Sequence, residues 1–209
     1  MQVVKFASLF VGATLIGKLL TGCATAPPDQ AELVSVHSVY VTPVSEPQIT
    51  TMSVGGRVDL QGASLGEVLM NGGVHLGTDT HDAVTDAFQS DGYNIAASPD
   101  YADALVQVKI TTAQYFIQPT IAGGGCTPYA QFDVTMKSKA GKTLLDRTYR
   151  LQSGGGVGMT GHVLLPSDPK YDLADCNQIS TQPQVPVAAF RAALALLKSA
   201  IAADVKKAS

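Results

Sequence analysis

The chain contains no tryptophan, and only 6% of its 209 residues are aromatic and 15% charged. These shortages exclude whole classes of function. Nucleic-acid binding draws on clustered Lys and Arg, with aromatic platforms where the strand is single. Here 14 basic residues face 17 acidic ones, a net charge of −3, and no basic patch forms along the sequence. Histidines number four and cysteines three, and no two cysteines stand in Cys-x-x-Cys spacing. A structural zinc site therefore has no obvious ligand set. The glycine runs Gly123–Gly125 and Gly154–Gly156 lack the Lys and Ser/Thr of a phosphate cradle and read as turns.

What is present begins at the N-terminus. Met1–Gly22 resembles a secretory leader. Lys5 supplies its positive region, Phe6–Gly17 its apolar region, and small residues precede a cut. The apolar run is too short and too rich in glycine to span a bilayer comfortably. It ends at Leu20-Thr21-Gly22-Cys23, which resembles a bacterial lipobox. The resemblance implies removal of residues 1–22, a diacylglycerol thioether on Cys23 and acylation of the new amine. Each buried methylene contributes about 0.8 kcal/mol, so several chains hold a protein far more firmly than one. Ala24-Thr25 follows, without the Asp that retains many such products in the inner membrane; the resemblance implies the periplasmic side of the outer membrane. The alternative is an ordinary cleaved leader and a soluble periplasmic protein. Subtracting the leader lysines Lys5 and Lys18 takes the charge from −3 to −5. Residues 23–33, with Pro27-Pro28, read as a tether, leaving 34–209 as one domain.

With Cys23 acylated, Cys126 and Cys176 remain. In an oxidising periplasm the expected outcome is a disulfide closing a loop of about 50 residues, contributing about 4 kcal/mol by chain entropy. A reactive or metal-binding pair is the alternative, but neither cysteine adjoins a histidine.

Val34, Val36 and Val39-Tyr40-Val41 predict a first strand stopped by Pro43, and Ile49–Leu60 a second extended stretch. Residues 62–77 read as turns with short strand pieces. Thr78 to Asp91 predicts a helix with Thr78 as cap, early acids, and Val84 and Phe88 on one face; Gly92 stops it. Tyr93–Ala97 is a short strand and Pro99–Asp103 a turn. Ala104 to Ile117 alternates, with Ala104, Val106, Val108 and Ile110 on one face and Gln107, Lys109 and Thr111 on the other. Tyr129–Lys137 repeats the pattern, Lys139–Lys142 turns, and Leu144–Gln152 returns antiparallel. Residues 153–186 read as a long irregular insert, and a final helix runs from Pro186 to Lys206 with Phe190, Leu194, Leu197 and Ile201 in one stripe.

Four stretches resemble the YajG-type outer-membrane lipoproteins. They are the lipobox, Gly55-Gly56-Arg57 with Leu65-Gly66, the segment Asp82–Val108 around Asp91-Gly92-Tyr93, and the hairpin Phe132–Gln152 with its Ala140-Gly141-Lys142 turn. Together they cover most of residues 34–152 plus the last helix. The insert and the cysteine pair depart from that family. The resemblance implies an α+β fold, a mainly antiparallel sheet of four to five strands with two helices on one face. It implies no enzyme activity, no cofactor and no catalytic residue.

Other chemistry is thin. His75, His81, Asp79 and Asp82 form the one dense cluster of metal-ligand types, but adjacent helical residues diverge, and a polar helix entry is the simpler reading. Ser167, Asp168 and His162 are the pieces of a triad that folding could bring together. The expected function is a lipid-anchored binding or assembly module, docking an envelope protein by a sheet edge or the stapled loop. A periplasmic hydrolase using residues 153–186 is the alternative, and a purely structural envelope role a third.

Overall fold

A computed structural model describes residues 30–47, 49, 52–53, 56–57, 64–118, 125–153 and 162–206. The leader and Cys23 lie outside the described residues. In chain order the elements are helix α1 (Gln30–Leu33), strands β1 (Ser38–Val41), β2 (Met52–Ser53) and β3 (Gly56–Arg57), and helices α2 (Leu65–Asn71) and α3 (Leu76–Ser90). Strands β4 (Asn94–Ile95), β5 (Ala104–Gln118), β6 (Gly125–Ser138), β7 (Thr143–Ser153) and β8 (His162–Ser167) follow, then helices α4 (Gln178–Thr181) and α5 (Gln184–Val205). Short 3-10 turns occupy Pro99–Tyr101 and Pro169–Tyr171.

The alternating residues of β5 and β6 make one dry and one wet face. Ala104, Val106, Val108 and Ile110 are buried with Phe132, Val134 and Met136. The wet face carries a polar ladder: Thr148 donates to Asp133 at 2.8 Å, and Arg150 donates to the side-chain Oε1 of Gln131 at 3.3 Å. A register shift between Ile110 and Thr112 breaks the alternation. One extra residue on a strand reverses which side chains face inward. Beyond it Ala113 and Tyr115 are the buried residues, so the bulge is what turns Tyr115 into the core.

The α+β class stands, but the sheet is mixed, not mainly antiparallel, and has eight strands instead of four or five. Its order is β3-β2-β5-β6-β7-β8, with β1 paired to β5 and β4. Only β5–β6, β6–β7 and β2–β3 are antiparallel; β1 and β2 on β5, β1 on β4, and β8 on β7 are parallel. Parallel neighbours need long crossovers, and α2 and α3 lie in the one from β1 to β5. Strands β2 and β3, of two residues each, are too short to print a period, and the sequence shows one extended stretch over Ile49–Leu60 where there are two strands.

Helices α3 and α5 cover the dry face. Phe190, Leu194, Leu197 and Ile201 are buried as one stripe. In α3, Val84, Ala87 and Phe88 are buried, and Phe88 meets Tyr93 edge to face at 5.3 Å. Gly92 ends the segment at φ 81, in the left-handed region. The expected cap at Thr78 is displaced: the helix starts at Leu76, and Asp79 accepts from the His75 amide at 3.0 Å. Gly72 is where α2 meets α5; a Cβ there would stand 2.2 Å from Val187 Cγ2.

Three further boundaries move. The tether, expected over 23–33, ends earlier, because Gln30–Leu33 is helical and Leu33 is fully buried. Val34, assigned to the first strand, is 46% exposed in the turn that follows. The insert is ordered at 162–186: β8 joins the sheet, then a 3-10 turn, α4 and the start of α5 follow. Residues 62–77, read as turns, contain α2, whose Ser64 and Glu67 form a reciprocal capping box.

The first strand is held by a carboxylate. Asp103 Oδ2 accepts from the His37 amide at 3.0 Å, the Ser38 amide at 2.9 Å and the Ser38 hydroxyl at 2.9 Å. These bonds, the His37 amide first, hold its pKa below the ordinary carboxylate value. A lowered folded pKa means the stabilisation is complete above the unfolded value and disappears as pH falls through the folded one. Asp103→Asn should therefore destabilise the fold by under about 1 kcal/mol at neutral pH, after solvent screening. Urea unfolding of both proteins should show that gap closing as the pH is lowered through the acid range; a gap independent of pH contradicts the assignment.

Candidate functional site

The sheet places two ends far apart. Glu32 of α1 pairs with Lys142 in the β6–β7 turn, and Lys139 donates to Asp100 O at 3.0 Å. One end therefore gathers α1, the start of β1, the Pro99–Tyr101 turn and the hairpin turn. At the other end Gln118 faces Gly125 and Ser153 faces Ser167. The 15 residues of β5 separate them by about 45–50 Å along the strand.

The distant end is built by cross-links. Cys126 and Cys176 lie at disulfide distance, with Cα atoms 5.2 Å apart, and both are buried. Beside them the Cys126 amide donates to Leu173 O at 2.7 Å, and the Leu173 amide returns a bond at 2.8 Å. Tyr115 donates to Tyr171 O at 3.0 Å. Burial, then the nearby Asp172 carboxylate, holds the Tyr115 phenol well above its ordinary value, so it stays a donor. Asp168 caps the following turn, accepting from the Lys170 amide at 3.0 Å and pairing with Lys170 Nζ at 2.8 Å. That pairing lowers the Asp168 pKa and raises that of Lys170.

Between this turn and α5 lies a groove of about 390 Å³, lined by Pro166, Ser167, Tyr171 and the small side chains Ala192, Ala195 and Ser199. Strand β8 forms its rim. Its other side has no strand partner among the described residues, and Leu164 on it is 39% exposed. Ser167 is buried, and its Oγ has no hydrogen-bond partner among the described residues. An apolar floor, a buried hydroxyl and a strand edge can receive an extended peptide.

The triad pieces are not brought together. Ser167 and Asp168 line the groove, but His162 begins β8 and Asp168 follows its end. Six residue steps of strand hold them about 20 Å apart. No histidine lines the groove. The motif Gly62-Ala63-Ser64-Leu65-Gly66 has the spacing of a nucleophile elbow. Ser64 sits at φ −64, ψ 158, with its hydroxyl accepting from the Glu67 amide, so it is a helix cap rather than a strained, presented nucleophile. Of the metal-ligand cluster, Asp79 accepts from the His75 backbone amide at the α3 cap, and the His81 ring meets its neighbour Asp82 at 3.3 Å. Among the described residues no three His, Cys, Asp or Glu converge.

No family model matches the chain, and no curated protein matches it. Solved structures resemble it remotely. The Xanthomonas campestris protein XCC0632, of family DUF330, is 13% identical over 79% of this chain and 81% of its own, with a TM-score of 0.48. A DUF4136 family protein from Bacteroides thetaiotaomicron is 14% identical over 85% and 95%, with a TM-score of 0.32. The lipoprotein GNA1162 from Neisseria meningitidis is 14% identical over 59% and 88%, with a TM-score of 0.30. Likenesses of this size transfer no activity or partner.

Non-reducing peptide mapping of protein folded under oxidising conditions should recover a Cys126–Cys176 linked peptide. Replacing both residues by alanine should cost about 3–4 kcal/mol in urea unfolding. Free thiols at both positions in that protein would contradict the pairing.

Proposed function

We propose that this chain is a lipid-anchored bacterial envelope lipoprotein of the YajG type, held at the periplasmic side of the outer membrane by acylated Cys23. It works as a non-enzymatic docking module. The lipobox and the leader support the anchor. The observation that carries the docking role is the edge of β8, without a strand partner among the described residues, whose last residues Pro166 and Ser167 line the groove beside α5, at the end of the sheet farthest from the lipid. An extended segment of another envelope protein would add to that edge, taking main-chain hydrogen bonds from β8 and seating alternate side chains over the alanines of α5. The hydrolase alternative is weaker, since no histidine lines the groove beside Ser167 and the groove's Asp168 and Lys170 are paired with each other.

Two measurements test this. Palmitate labelling and membrane fractionation should both be lost in Cys23→Ser; unchanged fractionation defeats the anchor. Cross-linking from the β8 edge in intact envelopes should yield one reproducible adduct, and Leu164→Asp should reduce it about tenfold while leaving the unfolding midpoint unchanged, the size of effect expected from an exposed contact worth about 1.4 kcal/mol. Adducts insensitive to Leu164→Asp would place the docking surface elsewhere.

A further inference from the structure

Four large apolar side chains are substantially exposed among the described residues: Val34 at 46%, Met70 at 56%, Tyr101 at 80% and Leu164 at 39%. Leu164 belongs to the docking edge, and Met70 lies on α2, which packs near the start of α5 at Val187. Val34 and Tyr101 share the other end. Val34 follows α1 directly, and Tyr101 sits in the turn whose carbonyl accepts from the Ser38 hydroxyl at 3.4 Å.

That end is also where the lipid must be. Seven residue steps connect Cys23 to Gln30, a span of at most about 25 Å even when fully extended. The opposite end lies about 45–50 Å along β5, out of the tether's reach unless the molecule lies flat. Lying flat would press the polar ladder of Gln131, Asp133 and Arg150 against the headgroups, with Leu164, the cross-strand neighbour of Arg150, as the one large exposed apolar side chain on that face among the described residues. The tethered end carries charges of both signs: Lys142 pairs with Glu32, Lys139 donates to Asp100 O, and Asp103 accepts from the β1 amides. Such a mixed set is not the polybasic cluster that anionic lipid attracts. This end offers an aromatic ring with a polar tip, the side chain that favours the interface between headgroups and acyl chains.

We infer that the end bearing Tyr101 and Val34 is a lipid-contacting surface, on which Tyr101 enters the bilayer interface and stands the domain upright on its anchor. This rests on the acylation of Cys23 argued above. The contact leaves the groove and the β8 edge pointing away from the membrane, open to a partner.

The absence of tryptophan makes the test direct. The acylated full chain is reconstituted into phosphatidylcholine vesicles carrying bromine on the upper acyl chain. A single indole is introduced by Tyr101→Trp, Val34→Trp, Met70→Trp or Leu164→Trp, all at exposed positions. The expected result is that Tyr101→Trp and Val34→Trp emit at shorter wavelength on membrane binding and are quenched several-fold more than Met70→Trp and Leu164→Trp. Adding phosphatidylglycerol should leave that ranking unchanged. If the chain floats with vesicles but the indole at position 101 is quenched no more than those at 70 and 164, the orientation is wrong and the anchor stands. If the acylated chain does not float with vesicles, the anchor and the orientation fall together.

Discussion

Burial of one face of α5 against the sheet is the interaction on which the rest depends. Phe190, Leu197 and Ile201 are fully buried there, and each contributes about 1.5–3 kcal/mol relative to exposure. Buried tyrosines fasten the helix and its lead-in. Tyr93 donates to Val205 O at 2.9 Å, Tyr149 donates to Asp204 at 2.7 Å, and Tyr115 reaches Tyr171 ahead of α4. Burial pushes the Tyr93 pKa up to about 12 and holds Tyr149 higher still, so these donors persist across any physiological pH. The helix has a mean hydropathy of 1.6 and is long and apolar enough to cross a membrane by composition alone. Nine of its residues are instead spent on the protein core.

That constraint makes a molecule with two distinct ends. The β5–β6–β7 hairpins act as a stiff spacer because their dry face is clamped by α3 and α5 along its length. The tethered end is closed by local hydrogen bonds. The distant end is closed by the Cys126–Leu173 bridge and the cysteine pair, which fix the path from β8 into α5 and so shape the groove. In the function proposed above, one end meets lipid and the other presents an edge.

The sequence disclosed this fold unevenly, for physical reasons. Long alternating strands and the Phe190–Ile201 stripe are periodic and were legible. So was Gly92, because a left-handed stop has a residue preference. The short strand β4 lies within the expected Tyr93–Ala97, but β2 and β3 carry no period and read as one stretch, and the parallel pairing of β8 depends on a crossover that local pattern does not encode. Helix α2 was missed although its signal was present: Ser64-x-x-Glu67 is a capping box, and the glycines around it drew the reading toward turns. Tyr115 shows a subtler failure. Strict alternation through β5 would face it outward, and only the bulge after Ile110 brings it in. The groove was illegible because its floor is alanine and serine on α5, residues that look like ordinary helix surface until β8 is placed beside them.

The most direct test of a two-ended, upright molecule is the thickness of the layer it forms. Neutron reflectometry of the acylated chain on a supported bilayer should give a protein layer about 45–50 Å deep, the length of β5, its densest part next to the headgroups. A layer of about half that depth would mean the sheet lies along the membrane, and would contradict the account.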